Sequence, residues 1–480
     1  MKRIFVLATL AIAFGFSAFA KDGYNITVKF TDLHLKDSVV YLAHYYGKPL
    51  PTIYKADSAV FDKNNVASFQ SHDPQIGGIY IILLSDHSTY FEFLLNNGDE
   101  MSITATSKEL PTGIVFKGSP ENERFVAYQT FLKNFGTRQQ KLHEEYKSAK
   151  TSADSAAVRE KGELASKELM KYRMDYVEKY PHTLLANIFN ALWVPTVPSG
   201  PHYNAKGKID SAFSYHYYKE HYWDKFDFTD DRLVQTPLYD AKLDEYFNKL
   251  VLPYVDSIEQ EADTLLARTR GHKEIFKYTL WWITRNTENS KIMGMDAAFV
   301  YLVEKYYMKG DAYWLSKDDL QKYVDRVQKI APNVIGNTAP EIIMEDITGK
   351  KIPLSSVKAK YTVLVFWTPS CGHCQHEIPL LDSAYNASLK AKGVKVYAVR
   401  TEDDPKQWQD FIKKNHLEDW INVYDPNHYS DYRSKYDVYS TPIIYLLDED
   451  KKIIGKRIDH SNIGQVIEMH ERKLKTAQAK

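Results

Sequence analysis

The sequence predicts an α/β domain at its C-terminal end, preceded by a β-rich module and then a mainly α-helical one. Three observations carry that prediction. Residues 361–367 read YTVLVFW, a β-branched and aromatic run that suits a buried strand, and Ile378, Leu381, Tyr385 and Leu389 recur behind it at helical spacing. Short strand-like runs crowd residues 22–119. From Pro120 to about Ile330 the apolar residues recur mostly at helical intervals.

The chain opens on Met1-Lys2-Arg3. An apolar stretch, Ile4 to Phe16, follows and is broken only by Thr9 and Gly15. Ser17-Ala18-Phe19-Ala20 then ends in an A-x-A pattern, so residues 1–20 read as a secretory signal peptide cleaved after Ala20. The apolar stretch is short for a retained anchor, and no other segment reaches about 18 uninterrupted apolar residues. The expectation is a periplasmic or otherwise exported protein, soluble after cleavage. No cysteine stands near the cleavage site to take a lipid.

Residues 21–119 form the predicted β-rich module. Ile26 to Phe30 alternates in polarity, and Val39–Tyr46, Tyr80–Leu84, Tyr90–Leu95 and Met101–Ala105 are further strand candidates. Asn97-Gly98-Asp99 is a turn. Gly118-Ser119-Pro120-Glu121 then supplies an N-cap at Ser119 and a proline at the first helical position. Residues 120–330 are the helical module. Lys141 to Tyr180 is charged and predicts solvated helices, whereas Leu184–Trp193, Leu238–Tyr254, Ile275–Ile283 and Ala297–Tyr307 carry apolar faces. Pro195 to Pro201 is a loop, and Ala331-Pro332-Asn333 with Gly336-Asn337 marks a linker.

Residues 331–480 alternate strands and helices. A hairpin over Glu341–Met344 and Lys350–Leu354 leads to the strand at 361–367 and its helix. Strands at Val394–Val399 and Ile421–Tyr424 follow, with helices at Pro405–Asn415 and Tyr429–Tyr436. Ile443–Leu447 and Lys452–Lys456 form a second hairpin, and Asn462–Lys475 closes as a helix. Such alternation marks an α/β layer structure.

Composition excludes more than it assigns. Lys+Arg and Asp+Glu both number 62, so no basic field points to nucleic acid. A chain of 480 residues exceeds one core, and two to three domains are expected. The 35 tyrosines are scattered, and His182, His202, His216 and His221 make no spacing that builds a site.

The two cysteines of the chain are the exception, because they form Cys371-Gly372-His373-Cys374. C-x-x-C is the spacing of a dithiol that opens and closes as a disulfide. Here it falls between a strand and a helix, where N–H groups and the dipole stabilise an anion. The thiolate is the reactive form of cysteine, so this position lowers a thiol pKa and activates it. Cys371 is the expected exposed nucleophile and Cys374 the buried resolving thiol. A metal reading of Cys371, Cys374, His373 and His376 fits poorly, since structural zinc usually takes two ligand pairs well separated in sequence.

Phe366-Trp367-Thr368-Pro369-Ser370-Cys371-Gly372-His373-Cys374-Gln375-His376-Glu377-Ile378-Pro379 resembles the motif of thioredoxin-like domains, and more narrowly of the TlpA/ResA-type thiol–disulfide oxidoreductases. The likeness runs from about Ala331 to Lys480, and with the export signal and two preceding modules it resembles the multi-domain form common in gut anaerobes of the Bacteroidetes type. The resemblance implies a thioredoxin fold and disulfide exchange by Cys371 and Cys374. It implies a cis proline at Pro442, with Thr441 docking the partner backbone; Trp367 reads as core packing beside the site. Thioredoxin's buried acid is replaced by Val365, so the proton-relay role passes, by resemblance, to Glu377. Ser370 stands where tryptophan is usual. The Gly-His pair between the cysteines is similar to that of protein disulfide isomerase, and an imidazole at His373 favours the reduced form. The implied partners are proteins with disulfides or thiols and an upstream thiol donor, with no organic cofactor and no stable metal. Two alternatives stand. One is a thioredoxin-fold peroxidase of the AhpC/TSA type, for which Thr368 supplies T-x-x-C but Leu364 replaces the proline four residues earlier. The other is a periplasmic binding protein carrying an accessory redox domain.

Overall fold

The computed structural model describes residues 22–402 and 404–478; the predicted signal peptide lies outside them. The chain divides into two compact units. One runs to Tyr246 and takes in Gly271–Ile275; the other comprises Phe247–Arg270 and the chain from Phe276 onward.

The first unit begins with eight strands. They are β1 (Tyr24–Phe30), β2 (Val39–His44), β3 (Tyr54–Val60), β4 (Val66–Ser71), β5 (Gly78–Leu84), β6 (Tyr90–Leu95), β7 (Asp99–Ala105) and β8 (Ile114–Lys117). They make two four-stranded sheets, ordered β4-β1-β7-β8 and β3-β2-β5-β6. Alternation explains the packing. Ile26, Val28 and Phe30 of β1 point inward while Asn25 and Lys29 stay exposed, and the inner faces of both sheets share one apolar cluster with Leu42, Ile82, Phe93 and Phe116. β3, β4 and β8 are absent from the sequence prediction. All three are edge strands, and β3 buries none of its residues, so it carries no apolar run to read.

The junction to the helices corrects one expectation. Ser119 does occupy the position before α1 (Pro120–Ser148), but its hydroxyl caps no helix amide. It accepts instead from Asn122 Nδ2 at 2.9 Å. The same buried amide group donates to the carbonyl of Leu94 and accepts the Leu94 N–H, both at 2.7 Å, as a paired strand would. Gly118 has φ +89°, and a Cβ there would meet the Glu100 carbonyl oxygen at 2.6 Å.

α1 and α2 (Ser152–Lys179) bury few residues, in keeping with their charge. α3 (Leu184–Ala191) is buried along almost its whole length. α4 (Phe213–His221), α5 (Tyr239–Glu245), α6 (Val255–Thr269), α7 (Lys273–Glu288), α8 (Asp296–Leu302) and α9 (Lys317–Ile330) complete the helical region. The helix predicted to reach Tyr254 stops near Leu250, just before Pro253. No described helix is long and apolar enough to cross a membrane.

The C-terminal region is a thioredoxin-like α/β domain. Its strands are β9 (Ile343–Asp346), β10 (Lys351–Pro353), β11 (Tyr361–Trp367), β12 (Val394–Arg400), β13 (Ile421–Tyr424), β14 (Ile443–Leu447) and β15 (Ile453–Lys456). They form one sheet ordered β10-β9-β13-β12-β11-β14-β15. β11 runs parallel to β12 and antiparallel to β14, and every one of its residues is buried. Both faces are covered. Val363, Val365 and Trp367 pack with Ile378 and Leu381 of α10 (Gly372–Ala384) on one side, and Leu364 and Phe366 pack with Tyr436 and Tyr445 on the other. α11 (Pro405–Lys414), α12 (Tyr432–Lys435) and α13 (Ile463–Gln478) follow. α12 is shorter than the predicted Tyr429–Tyr436. The backbone N–H of Tyr429 and the N–H and hydroxyl of Ser430 bond to the carboxylate of Asp425, and Asp431 adopts φ +48° just before the helix.

Candidate active site

β11 ends at Trp367, whose ring is fully buried and lies 5.0 Å from that of Phe411. Thr368-Pro369-Ser370 then turns the chain. Cys371 sits at the N-cap position of α10 with extended backbone (φ −80°, ψ 122°), beside the N–H groups of the first helical turn that lack an intrahelical partner. Cys374 lies inside that turn and is fully buried in the cluster that holds Val365. Both cysteines are free thiols.

β14 brings the facing segment. Phe366 pairs with Ile443, which sets Thr441 and Pro442 beside the end of β11. The Thr441–Pro442 bond is cis, and the Thr441 carbonyl accepts from Cys371 Sγ at 3.2 Å.

The two thiols differ in kind. Burial opposes ionisation of Cys371. It is outweighed by the N–H of Cys374, by the Thr441 side chain, by the Cys374 thiol and by the N–H of His373, and the thiol falls below its ordinary range. His373 therefore contributes through its backbone, with its side chain exposed. Burial pushes the Cys374 thiol up to about 12, and Cys371 adds to the rise.

Glu377 follows Cys374 by three residues on α10, so both lie on neighbouring parts of one helix face. Because α10 begins at Gly372, Glu377 is in its second turn and not at the helix start, and the dipole is not what holds it. His460 holds it. The His460 N–H donates to Glu377 Oε1 at 2.6 Å, and Nδ1 lies 2.9 Å from Oε2.

Glu402, like His460, is a neighbour of the site that the sequence reading does not single out. It sits beyond β12, next to β11, where adjoining strand ends gather their loops. Thr368 and Ser370 both donate to its Oε2, at 2.6 and 2.5 Å, so the two hydroxyls clamp the carboxylate beside Cys371. Those two hydroxyls, with help from Arg433, hold the Glu402 carboxyl below its usual range despite slight burial. An acid at the end of a neighbouring parallel strand was the signal available for it; His460, 83 residues from Glu377, left none. Among the described residues no group of three His, Cys, Asp or Glu is arranged to hold a metal ion.

Three stretches of the chain match known protein families. Residues 335–456 match the AhpC/TSA family, 24–125 a domain of unknown function (DUF4369) and 207–333 another (DUF5106). The chain is 30% identical over 132 residues to the thiol-disulfide oxidoreductase ResA of Bacillus cereus, covering 28% of this chain and 74% of that one. The chain belongs to the ResA-type thiol–disulfide oxidoreductases. The sporulation thiol-disulfide oxidoreductase A of Bacillus subtilis is 32% identical over 131 residues, with 27% of this chain and 77% of that one covered. Among solved structures, a domain of a possible thiol-disulfide isomerase from Cytophaga hutchinsonii is 41% identical, covering 30% of this chain and 99% of that one at a TM-score of 0.29. Within this family the present chain is a multi-domain enzyme, its redox region preceded by the β-rich and helical regions.

Proposed function

We propose that this oxidoreductase is exported and uses Cys371-Gly372-His373-Cys374 to exchange disulfides with partner proteins. One observation carries the reading: the half-exposed Cys371 thiol is lowered, while the buried Cys374 thiol three residues on is raised to about 12. Only the first is poised to attack from solution.

In the reductive direction the Cys371 thiolate attacks one sulfur of a substrate disulfide. The substrate S–S bond breaks, and its second sulfur leaves as a thiolate and takes a proton. A mixed disulfide remains. Glu377 accepts the proton of Cys374, whose sulfur attacks Cys371 Sγ and expels the second substrate thiolate. Two electrons pass to the substrate, and the enzyme is left as the Cys371–Cys374 disulfide. An upstream protein dithiol returns it to the start. Thr441 and Pro442 dock the partner backbone, Trp367 supports the motif from the core, and His373 supplies an N–H to the Cys371 thiolate.

The test is reduction of insulin disulfides with dithiothreitol as electron source. The protein should accelerate the reaction, and Cys371→Ser should abolish the acceleration. No acceleration over dithiothreitol alone would refute the reading. The AhpC/TSA match supports peroxide reduction as a second reading. Against it, the Thr368 hydroxyl is bonded to Glu402. Consumption of hydrogen peroxide by the reduced protein, faster than by a free thiol, would favour the peroxidase.

A further inference from the structure

The last helix of the helical region and the thioredoxin-like domain belong to one compact unit, and they are joined at one place of chemical interest. Arg326 on α9 donates through Nη1 to Asp437 Oδ1 at 2.6 Å. Arg457, after β15, donates to the other oxygen at 2.5 Å and to the Asp437 carbonyl at 3.2 Å. The Asp437 side chain is only 5% exposed, so its charge is satisfied by these two guanidinium groups and not by water. Arg326 also approaches Glu288, at 3.9 Å.

Asp437 is four residues before Thr441, whose carbonyl touches the Cys371 sulfur. Val438 is buried and bonded through its N–H to Arg433, so between the two fixed points only Tyr439 and Ser440 stand exposed. Tyr439 is 67% exposed, and its ring is flanked by Arg457 at 4.6 Å and Arg326 at 6.0 Å. Asn333, just past α9, reinforces the anchor. It donates to the carbonyl of Lys435, and its Oδ1 accepts from the Tyr445 hydroxyl and from the buried Lys456, which also pairs with Asp296 of α8 at 2.5 Å.

We propose that Arg326 is a positioning residue of the redox site: by gripping Asp437, the helical region fixes the segment Tyr439–Pro442 on which a partner polypeptide docks. This gives the helical region, otherwise a domain of unknown function, a part in substrate recognition. The inference rests on the exchange reading above. Removing Arg326 leaves Asp437 paired with Arg457, so the expected result is a loosened docking segment in a folded protein.

The experiment uses the full chain as wild type, Arg326→Ala, Arg326→Gln and Arg326→Lys, with thermal melts confirming that each folds. Two disulfides are compared: insulin, which must dock along the backbone, and dithionitrobenzoate, which is too small to need it. Arg326→Ala and Arg326→Gln should raise KM for insulin about tenfold with kcat changed less than about twofold, since docking and not chemistry is lost. Their rates with dithionitrobenzoate should match wild type, and Arg326→Lys should recover most of the loss. An insulin KM within about twofold of wild type in both variants would overturn the inference, as would equal slowing toward both disulfides. A wild-type chain inert toward both would overturn the exchange reading itself, and this inference with it.

Discussion

His460 grips Glu377 twice, through its backbone N–H to Oε1 and through Nδ1 to Oε2. An ionised carboxylate only accepts, so with Glu377 charged the facing ring nitrogen carries a proton. The carboxylate is 15% exposed and is held by a residue at the threshold of α13, on the far side of the domain's sequence. A carboxylate on the same helix as the buried Cys374 thiol, fixed in orientation and nearly withdrawn from solvent, suits proton transfer to a group that water cannot easily reach.

The first prediction concerns the order of thiol reactivity. Iodoacetamide should label Cys371 first. Its rate should rise with pH along a titration whose midpoint lies below that of an ordinary cysteine, because the N–H groups at the start of α10 favour the Cys371 thiolate. Cys374, raised to about 12, should stay unlabelled across neutral pH. Peptide mass mapping that found Cys374 labelled before Cys371 would reverse the two roles.

The second concerns trapping. Cys374→Ser keeps the nucleophile and removes the resolving attack, so mixed disulfides with partners should accumulate on Cys371. Cys371→Ser leaves only a buried thiol and should trap nothing. Non-reducing gels of both variants decide it; equal trapping would rule out a two-step exchange through Cys371.

The sequence carried the parts of this structure that repeat locally. Ile378, Leu381, Tyr385 and Leu389 recur at helical spacing, and all four are buried against β11. The continuous apolar run of β11 marked a strand covered on both faces. What failed to show was built from contacts distant in sequence. β3 takes its place by pairing with β2 and has no pattern of its own. Glu402 reaches Thr368 across 34 residues, His460 reaches Glu377 across 83 and Arg326 reaches Asp437 across 111. Each is a charged or polar residue in a polar stretch, indistinguishable locally from a solvated one. The fold had to supply the partner before the residue could be read.

The third prediction concerns stability. Asn122→Ala should destabilise the N-terminal β-region by about 2–4 kcal/mol, because it orphans the N–H and carbonyl of Leu94 in a buried site. Asn122→Asp should be nearly as costly, since a carboxylate accepts from the Leu94 N–H but cannot donate to its carbonyl. Denaturant unfolding followed by circular dichroism measures both. A loss below about 0.5 kcal/mol, the level of an ordinary surface change, would mean that the bridge carries no weight.

The last prediction separates Glu377 from His460. Val365 leaves the buried cysteine without the acid that thioredoxin places there, and the Cys374 thiol at about 12 cannot ionise unaided near neutral pH. Glu377→Gln should therefore slow resolution of the mixed disulfide by about tenfold to a hundredfold at pH 7, the lower range of general-base effects. The deficit should shrink toward pH 9, where hydroxide takes the proton instead. His460→Ala keeps the backbone N–H and loses only the ring, so it should slow the same step less, by about threefold to tenfold, in keeping with one charge-assisted hydrogen bond. If the histidine acts through the glutamate, the loss from His460→Ala should vanish in a Glu377→Gln background. Stopped-flow decay of a preformed mixed disulfide reads all four proteins. Additive losses in the double variant would give His460 a proton path of its own, and unchanged rates in Glu377→Gln from pH 6 to 9 would leave the carboxylate a purely structural partner of α13.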